Sequence, residues 1–195
     1  MSETGAAGFV NRPDARRVGS IGLPLWGVQA RIAGAEGLTG PDHVGELLIK
    51  GFVVMNGYHD DPVATSQTLV NGWLHTGDLG YVDDDGFYYI VDRIKDMIIR
   101  GGFNVYPREL EEVLYRHPAI SEVAVVGRPD ERLGEEIVAV IVLKPDAADA
   151  SPEQIIEFCR QSLAGYKVPR EIRFVDRLPR NASGKVLKRE LRPAA

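Results

Sequence analysis

The spacing of short β-forming segments and turn residues is the feature that most limits how this chain can fold. Between residues 19 and 92, stretches rich in β-branched and aromatic residues are separated by clusters of Gly, Pro and Asp. These stretches are Gln29 to Ile32, Glu46 to Ile49 and Phe87 to Val91. Asp83 to Gly86 contains the Asp-Gly pair of a hairpin turn, since both residues tolerate positive φ. Mainly β-structure is therefore predicted here, with one short helix at Pro62 to Leu69, whose leading proline suits a first helical turn.

Beyond Arg93 the pattern changes to strands that alternate with helices. Gly101-Gly102 predicts a hairpin turn between Asp96 to Arg100 and Phe103 to Tyr106. Further strands are predicted at Val123 to Val126, Ile137 to Leu143 and Ile172 to Val175. One helix is predicted from Pro107 to Arg116, where the apolar residues share a face, and His117-Pro118 ends it.

A capping box at Ser151 to Gln154 opens a second helix, with proline at its first position. Cys159 lies on the apolar face of that helix, which predicts a buried, inert thiol. The fold class is therefore α+β. We place the domain boundary near Asp92 to Lys95, with a β-rich domain over residues 1–92 and an α+β domain over residues 93–195.

Composition excludes several classes of function. The 195 residues are 44% hydrophobic and 26% charged with a formal net charge of -5, and no basic stripe points to nucleic acid. The single cysteine leaves no internal disulfide and no cysteine metal cluster. The longest apolar run, Ile137 to Leu143, is too short to span a bilayer, and Met1 to Gly5 lacks the basic start of a signal peptide. A cytoplasmic protein without a transmembrane segment is expected.

The turn around Lys185 is the most distinctive local motif. It reads Pro-Arg-Asn-Ala-Ser-Gly-Lys and is followed by a charged amphipathic stretch to Leu191. Gly184 lets the backbone approach a ligand closely, and Lys185 presents a compact, mobile cation. Such a cation suits an anionic centre, for example a carboxylate beside a phosphate. Taken alone, the same composition is also typical of a solvated turn.

Several segments together resemble the C-terminal third of the adenylate-forming superfamily, which includes acyl-CoA synthetases, beetle luciferases and peptide-synthetase adenylation domains. The resemblance runs from about Met1 to Leu191 and is closest to bacterial acyl-CoA (fatty acid) ligases. It implies a remnant of the β-rich, distorted-barrel subdomain of the large domain, followed by a small mobile lid domain. The segments that carry it are Gly45 to Gly51, Gly57-Tyr58, Trp73 to Leu79, Val91 to Glu112 and Pro179 to Leu191.

The resemblance also implies roles for individual residues. Lys185 would bridge the substrate carboxylate and the α-phosphate of ATP. Asp78 would bind the ribose of ATP or AMP, with Arg93 as its partner. From the residues alone, Asp78 after Thr76-Gly77 would instead be a turn aspartate that caps its own backbone, and Arg93 would form a surface salt bridge with a neighbouring aspartate.

Further implied positions concern metal, CoA and domain movement. Met1-Ser2-Glu3 matches the end of the family motif Tyr-Gly-x-Thr-Glu, so Ser2 would touch the α-phosphate and Glu3 would hold Mg²⁺. Lys95 would be the hinge between two domain poses. Gly102 would line the pantetheine tunnel, and Lys167 would contact the CoA phosphates.

The implied activity is carboxylate activation in two steps. ATP and an acid would give an acyl-adenylate and pyrophosphate, and the CoA thiol would then displace AMP after the small domain rotates. The sequence has no Ser/Thr/Gly-rich phosphate loop, so we expect a C-terminal fragment that cannot adenylate by itself. Fatty acids are the first expectation for the acid.

Two alternatives stay open at this stage. The chain could be a free-standing binding or regulatory module that complements a separately encoded N-terminal half. It could also come from an adenylation domain that delivers to the phosphopantetheine of a carrier protein. In the fragment interpretation, residues 1 to about 20 are expected to pack poorly, and Lys188 and Arg189 are expected to stay solvated.

Overall fold

The computed structural model describes residues 1–5, 7–34, 37–147 and 149–192. The chain divides into two compact units, Met1–Lys95 and Asp96–Ala195. The first is mainly β and the second combines strands with helices, so the fold class is α+β.

The first unit contains seven strands and one α-helix among its described residues, with 3-10 turns at Ser2–Thr4 and Pro13–Ala15. They are β1 (Phe9–Val10), β2 (Leu23–Pro24), β3 (Val28–Ile32), β4 (Gly45–Gly51), α1 (Pro62–Thr68), β5 (Leu69–Val70), β6 (Trp73–Val82) and β7 (Tyr88–Arg93). The helix begins where predicted, because the Asp61 carboxylate accepts a hydrogen bond from the Ala64 amide and caps it.

An antiparallel five-stranded sheet forms the body of this unit. Its strand order is β3-β4-β6-β5, and β7 pairs with β6. One face of the sheet is apolar and buried, and it includes Val28, Ile32, Leu47, Ile49 and Leu74. In β3 the two end residues are buried while intervening ones are more exposed, as expected for a sheet with one covered face.

The N-terminal segment is tied to this unit. β1 pairs with β2, and the Phe9 ring lies 5.2 Å from the Tyr88 ring. The expectation that residues 1 to 20 pack poorly is therefore wrong for Phe9 and Val10, because a strand pairing and an aromatic contact hold them.

The second unit contains five strands and three α-helices among its described residues, with a 3-10 turn at Gly165–Lys167. They are β8 (Ile98–Arg100), β9 (Phe103–Val105), α2 (Pro107–Leu114), β10 (Ile120–Asp130), β11 (Gly134–Leu143), α3 (Pro152–Arg160), β12 (Glu171–Phe174) and α4 (Lys188–Leu191). The capping box at Ser151 and Gln154 forms in both directions and opens α3.

The β10–β11 pair is the centre of this sheet. Its order is β10-β11-β8-β9, and β12 runs parallel to β11. One face packs under α2 and α3, while the other is covered by Leu178 and Leu191. Both faces of the sheet are buried here, and residues Ile137 to Ile141 are all apolar and fully buried. The sequence therefore has a continuous apolar run instead of alternating apolar and polar residues.

Two further details of the second unit concern Cys159 and the end of α2. Cys159 is fully buried as predicted, and burial raises the pKa of its thiol to about 11. The helix predicted to reach Arg116 ends at Leu114, with Tyr115 as its cap.

The division between the two units comes directly after Lys95, at the end of the boundary region expected from the sequence. Arg93 still belongs to the first sheet because it pairs with Asp78 across β6 and β7. No helix in the described part of the chain is long and apolar enough to cross a membrane.

The core of the second unit gives a stability prediction. Ile141→Ala should lower the free energy of unfolding by about 2–5 kcal/mol, because it opens a cavity at a fully buried position. Ile99→Ala is the matched control, since that side chain is 50% exposed, and we expect a change within about 0.5 kcal/mol. Urea unfolding followed by circular dichroism measures both, and equal losses would contradict this account of the core.

Candidate active site

Asp78 lies inside β6 and not in a turn, which corrects the reading from composition. Glu46 pairs with Leu79 and Leu48 pairs with His75, so Thr76, Gly77 and Asp78 together oppose the single residue Leu47. The extra residues form a β-bulge, and Gly77 takes the left-handed φ of 69° that it requires. The bulge redirects Asp78 relative to a regular strand.

Two side chains hold the bulge in place. The buried Thr76 hydroxyl donates to the Leu47 carbonyl at 2.7 Å and accepts from the Asp78 amide at 3.1 Å. The Glu46 carboxylate accepts from the Gly77 amide at 2.9 Å, and its other oxygen lies 2.8 Å from Nδ1 of His75. Glu46 is a residue that sequence reasoning missed, because the residues it contacts are about 30 positions away.

Asp78 and Arg93 lie together, as the resemblance implied. Nε of Arg93 donates to Oδ1 of Asp78 at 2.9 Å, and the two residues are direct partners in the β6–β7 ladder. Both side chains are partly exposed, so the pair contributes only about 0–1 kcal/mol to stability. No donor among the described residues reaches Oδ2 of Asp78, which leaves that oxygen able to accept from a ligand.

A cavity of about 290 Å³ opens beside Asp78 within the first unit. Its wall combines the Asp78 carboxylate with apolar side chains, including Phe9, Leu47, Ile49 and Ile90. A mostly apolar cleft with a few polar groups is typical of a small-molecule site.

Glu3 lies in the 3-10 turn near the start of the chain and is held from two sides. Its carbonyl accepts from the Met55 amide at 2.8 Å, and its carboxylate accepts from the Tyr58 hydroxyl at 3.1 Å. Ser2 is exposed beside it. In the described part of the chain no group of three or more His, Cys, Asp or Glu side chains could hold a metal. One carboxylate nevertheless fits Mg²⁺, which commonly keeps its waters and binds through a single carboxylate plus substrate phosphates.

The Lys185 turn is built by one asparagine side chain. Oδ1 of Asn181 accepts from the Ser183 amide at 3.1 Å, the Ser183 hydroxyl at 2.8 Å and the Lys185 amide at 2.8 Å. The Gly184 amide also donates to the Asn181 carbonyl at 2.9 Å, and Gly184 has φ of 82°. Lys185 is exposed, and its ammonium group makes no hydrogen bond or ion pair with any residue that the structure describes.

Basic side chains before and after Lys185 already have hydrogen-bond or ion-pair partners. Arg180 donates to the Gly184 carbonyl and to the Glu122 carboxylate, both at 2.6 Å. Nζ of Lys188 lies 2.7 Å from the Glu111 carboxylate. The expectation that Lys188 stays solvated is therefore wrong, because an acidic side chain of α2 lies within reach.

Gly101 and Gly102 form the turn between β8 and β9, with φ values of 59° and 83°. Two positive values are typical of a two-residue hairpin of type I′. A Cβ placed on Gly102 would meet no described atom within 4 Å, so there is open space beside this residue, whereas a Cβ on Gly101 would lie 3.5 Å from the Leu133 side chain.

Lys95 and Lys167 occupy different settings. Lys95 is exposed in the turn between β7 and β8, and not in a strand. Nζ of Lys167 lies 2.7 Å from both oxygens of the Glu109 carboxylate. Burial is the largest single effect and lowers the pKa of Lys167, but the hydrogen bonds and charge of Glu109, together with the neighbouring Tyr166, outweigh it, so the pKa is raised overall. Lys167 is therefore charged and already paired.

Two family models match segments of this chain. A family model described as "AMP-binding enzyme" matches residues 1–59, and one described as "AMP-binding enzyme C-terminal domain" matches residues 109–185. A 2-succinylbenzoate–CoA ligase of Bacillus cytotoxicus is 50% identical over 177 residues, which cover 90% of this chain and 36% of that protein. The chain belongs to the adenylate-forming superfamily.

Solved structures of adenylate-forming enzymes share the fold. The o-succinylbenzoate CoA synthetase of Bacillus subtilis, in complex with its acyl-adenylate intermediate, matches with a TM-score of 0.89 at 40% identity, over 100% of this chain and 40% of that one. The same enzyme with ATP and a magnesium ion matches with a TM-score of 0.87 at 40% identity, over 98% of this chain and 40% of that one. The chain thus spans about 36–40% of the length of the relatives named here.

The Asn181 turn gives a prediction about local order. Asn181→Ala should remove three hydrogen bonds at once and speed hydrogen exchange of the Lys185 amide by about tenfold or more, through easier local opening. Ser183→Ala removes only the hydroxyl contact and is the matched control, with a smaller expected change. Exchange measured by NMR distinguishes the two, and unchanged protection in Asn181→Ala would show that the turn is held by other contacts.

Proposed function

We propose that this chain is part of an ATP-dependent carboxylate–CoA ligase. In the first half-reaction a carboxylate oxygen attacks the α-phosphorus of ATP and pyrophosphate leaves. In the second, the CoA thiol attacks the acyl carbon, AMP leaves, and the thiol proton is released. The names of the relatives support this chemistry, and the full activity is a proposal because the chain spans about 36% of the Bacillus cytotoxicus ligase.

The observation that carries the proposal is the arrangement of Lys185. Its backbone is fixed by Asn181, while its ammonium group is exposed and uncommitted among the described residues. In the proposed first step this cation contacts the carboxylate and the α-phosphate. Negative charge develops on the phosphoryl oxygens there, and a positioned cation lowers the barrier.

The first unit would bind the nucleotide. Asp78 would accept hydrogen bonds from the ribose hydroxyls through the oxygen that Arg93 does not use, and Arg93 would keep the carboxylate oriented. Ser2 would contact the α-phosphate. Glu3 would hold Mg²⁺, which neutralises phosphate charge when bound.

The second half-reaction would use a different part of the second unit. We propose that this unit turns about Lys95, so that Lys185 withdraws and the Gly101-Gly102 turn takes its place. Gly102 has no side chain to obstruct the narrow pantetheine arm of CoA.

The identity of the acid is a further part of the proposal. The relatives named above act on 2-succinylbenzoate, so an aromatic acid of this kind is the first substrate to test. Fatty acids, which general resemblance suggested, become the second choice.

A chimera tests the assignment of the two half-reactions. Residues 1–192 of this chain would replace the matching segment of the Bacillus subtilis o-succinylbenzoate CoA synthetase. Lys185→Ala in this chimera should lower pyrophosphate release by about 10²–10³-fold, the usual cost of losing one electrostatic contact in the transition state. Conversion of preformed acyl-adenylate by CoA should be little affected.

Two controls make that test specific. Arg189→Ala removes an exposed cation four positions further along the chain and should leave both half-reactions unchanged. Gly102→Asn should slow only the CoA step. Gly101→Asn is its matched control, and asparagine is chosen because it adopts the positive φ found at both positions. Equal effects of Lys185→Ala and Arg189→Ala would refute the assigned role of Lys185.

The 195 residues alone give a separate prediction. They carry no Ser/Thr/Gly-rich phosphate loop, so we expect no pyrophosphate release above background with ATP, Mg²⁺ and a panel of aromatic and fatty acids. The active chimera serves as the positive control. Release by the chain alone would show that the adenylation site is contained within these residues.

A further inference from the structure

Arg100, the residue directly before the Gly101-Gly102 turn, forms a buried ion pair with Glu136. Nε and Nη2 of Arg100 donate to the two carboxylate oxygens at 2.6 and 3.0 Å, and each side chain is only 9% exposed. The remaining nitrogen, Nη1, donates to the Tyr166 carbonyl at 2.9 Å. The forked geometry fixes the orientation of the guanidinium group as well as its position.

The other end of the turn is fixed by an aromatic contact. Phe103 follows Gly102, pairs with Arg100 across the hairpin, and stacks on the Tyr166 ring at 4.7 Å. Arg100 therefore contacts the carbonyl of Tyr166, and Phe103 contacts the ring of the same residue. The two glycines lie between two anchored residues, although glycine itself is the most flexible residue type.

The backbone alone holds this hairpin weakly. β8 has three residues and meets β11 at one ladder pair, Gly134 with Arg100. Side chains supply much of the remaining attachment, since the Glu135 carboxylate accepts from the Ile99 amide at 2.7 Å and Glu136 binds Arg100. A buried ion pair adds little net stability because desolvation offsets its attraction. Its main physical effect here is to restrict where the turn can lie.

We propose that Arg100 and Glu136 are positioning residues that hold the Gly101-Gly102 turn in one place for the CoA half-reaction. The link to CoA rests on the proposed function. The effect on the turn itself rests only on contacts within the second unit.

Hydrogen exchange on the 195-residue chain tests the effect on the turn. The double variant Arg100→Met with Glu136→Leu removes both buried charges and keeps an apolar volume, so its melting temperature should be unchanged or higher. The Gly101 amide, which donates to the Leu133 carbonyl at 2.8 Å, should exchange at least about tenfold faster. The Gly184 amide lies in a different turn of the same unit and is the internal control.

A conservative variant guards against misfolding of the double variant. Arg100→Lys keeps the charge but loses the fork, and it should also speed exchange at Gly101 while Gly184 is unchanged. Unchanged exchange at Gly101 in both variants would overturn the inference. Equal acceleration at Gly101 and Gly184 would overturn it as well, because that pattern indicates general loosening of the unit.

Kinetics in the chimera test the link to CoA. The double variant should raise KM for CoA and slow thioester formation from preformed acyl-adenylate, with pyrophosphate release unchanged. A purely structural defect would reduce both half-reactions together and would count against positioning. If the chimera without these substitutions releases no pyrophosphate, the proposed function fails, and the exchange result at Gly101 still decides whether the ion pair positions the turn.

Discussion

The antiparallel ladder between β10 and β11 is the interaction on which the second unit depends. Ten or more residues of each strand contribute, and the middle of the ladder is buried on both faces. Helices α2 and α3 cover one face, and the segment containing Leu178 and Leu191 covers the other. The Lys185 turn lies between those two residues, so packing of the flanking chain against the ladder anchors the turn on both sides.

Asp78, Gly102 and Lys185 each lie on irregular backbone that a polar side chain helps to hold in shape. Glu46 binds the bulge before Asp78, and Asn181 organises the turn before Lys185. Glu136 secures the strand before Gly101 through Arg100. Regular strands satisfy their backbone groups within the ladder, whereas bulges and turns leave donors that need other partners. A side-chain acceptor meets that need and fixes the local geometry at the same time.

The sequence predicted the parts of this structure that depend on local pattern. The capping box of α3, the glycine turn and the buried strand around Ile141 all follow from neighbouring residues. The bulge in β6 was read as a turn, because Thr-Gly-Asp has turn composition and the opposing Leu47 is distant in sequence. The pairing of Lys188 with Glu111 was missed for the same reason. Asp78 and Arg93 are identified only through the resemblance to a family. The Lys185 turn is distinctive by itself, but the resemblance is needed to distinguish it from a solvated turn.

Lys185 differs from other basic side chains of the second unit in having no carboxylate partner among the described residues, and this difference suits it to bind an anionic ligand. Arg100, Lys167 and Lys188 each lie within 2.7 Å of a carboxylate oxygen. Lys185 has its backbone fixed but no such partner among the described residues. Ordering a lysine side chain costs up to about 2 kcal/mol of conformational entropy, and ordering the turn in advance lowers the remaining cost of binding. A partner carboxylate would compete with an anionic ligand for the same ammonium group, so leaving Lys185 unpaired keeps its full electrostatic attraction for the ligand.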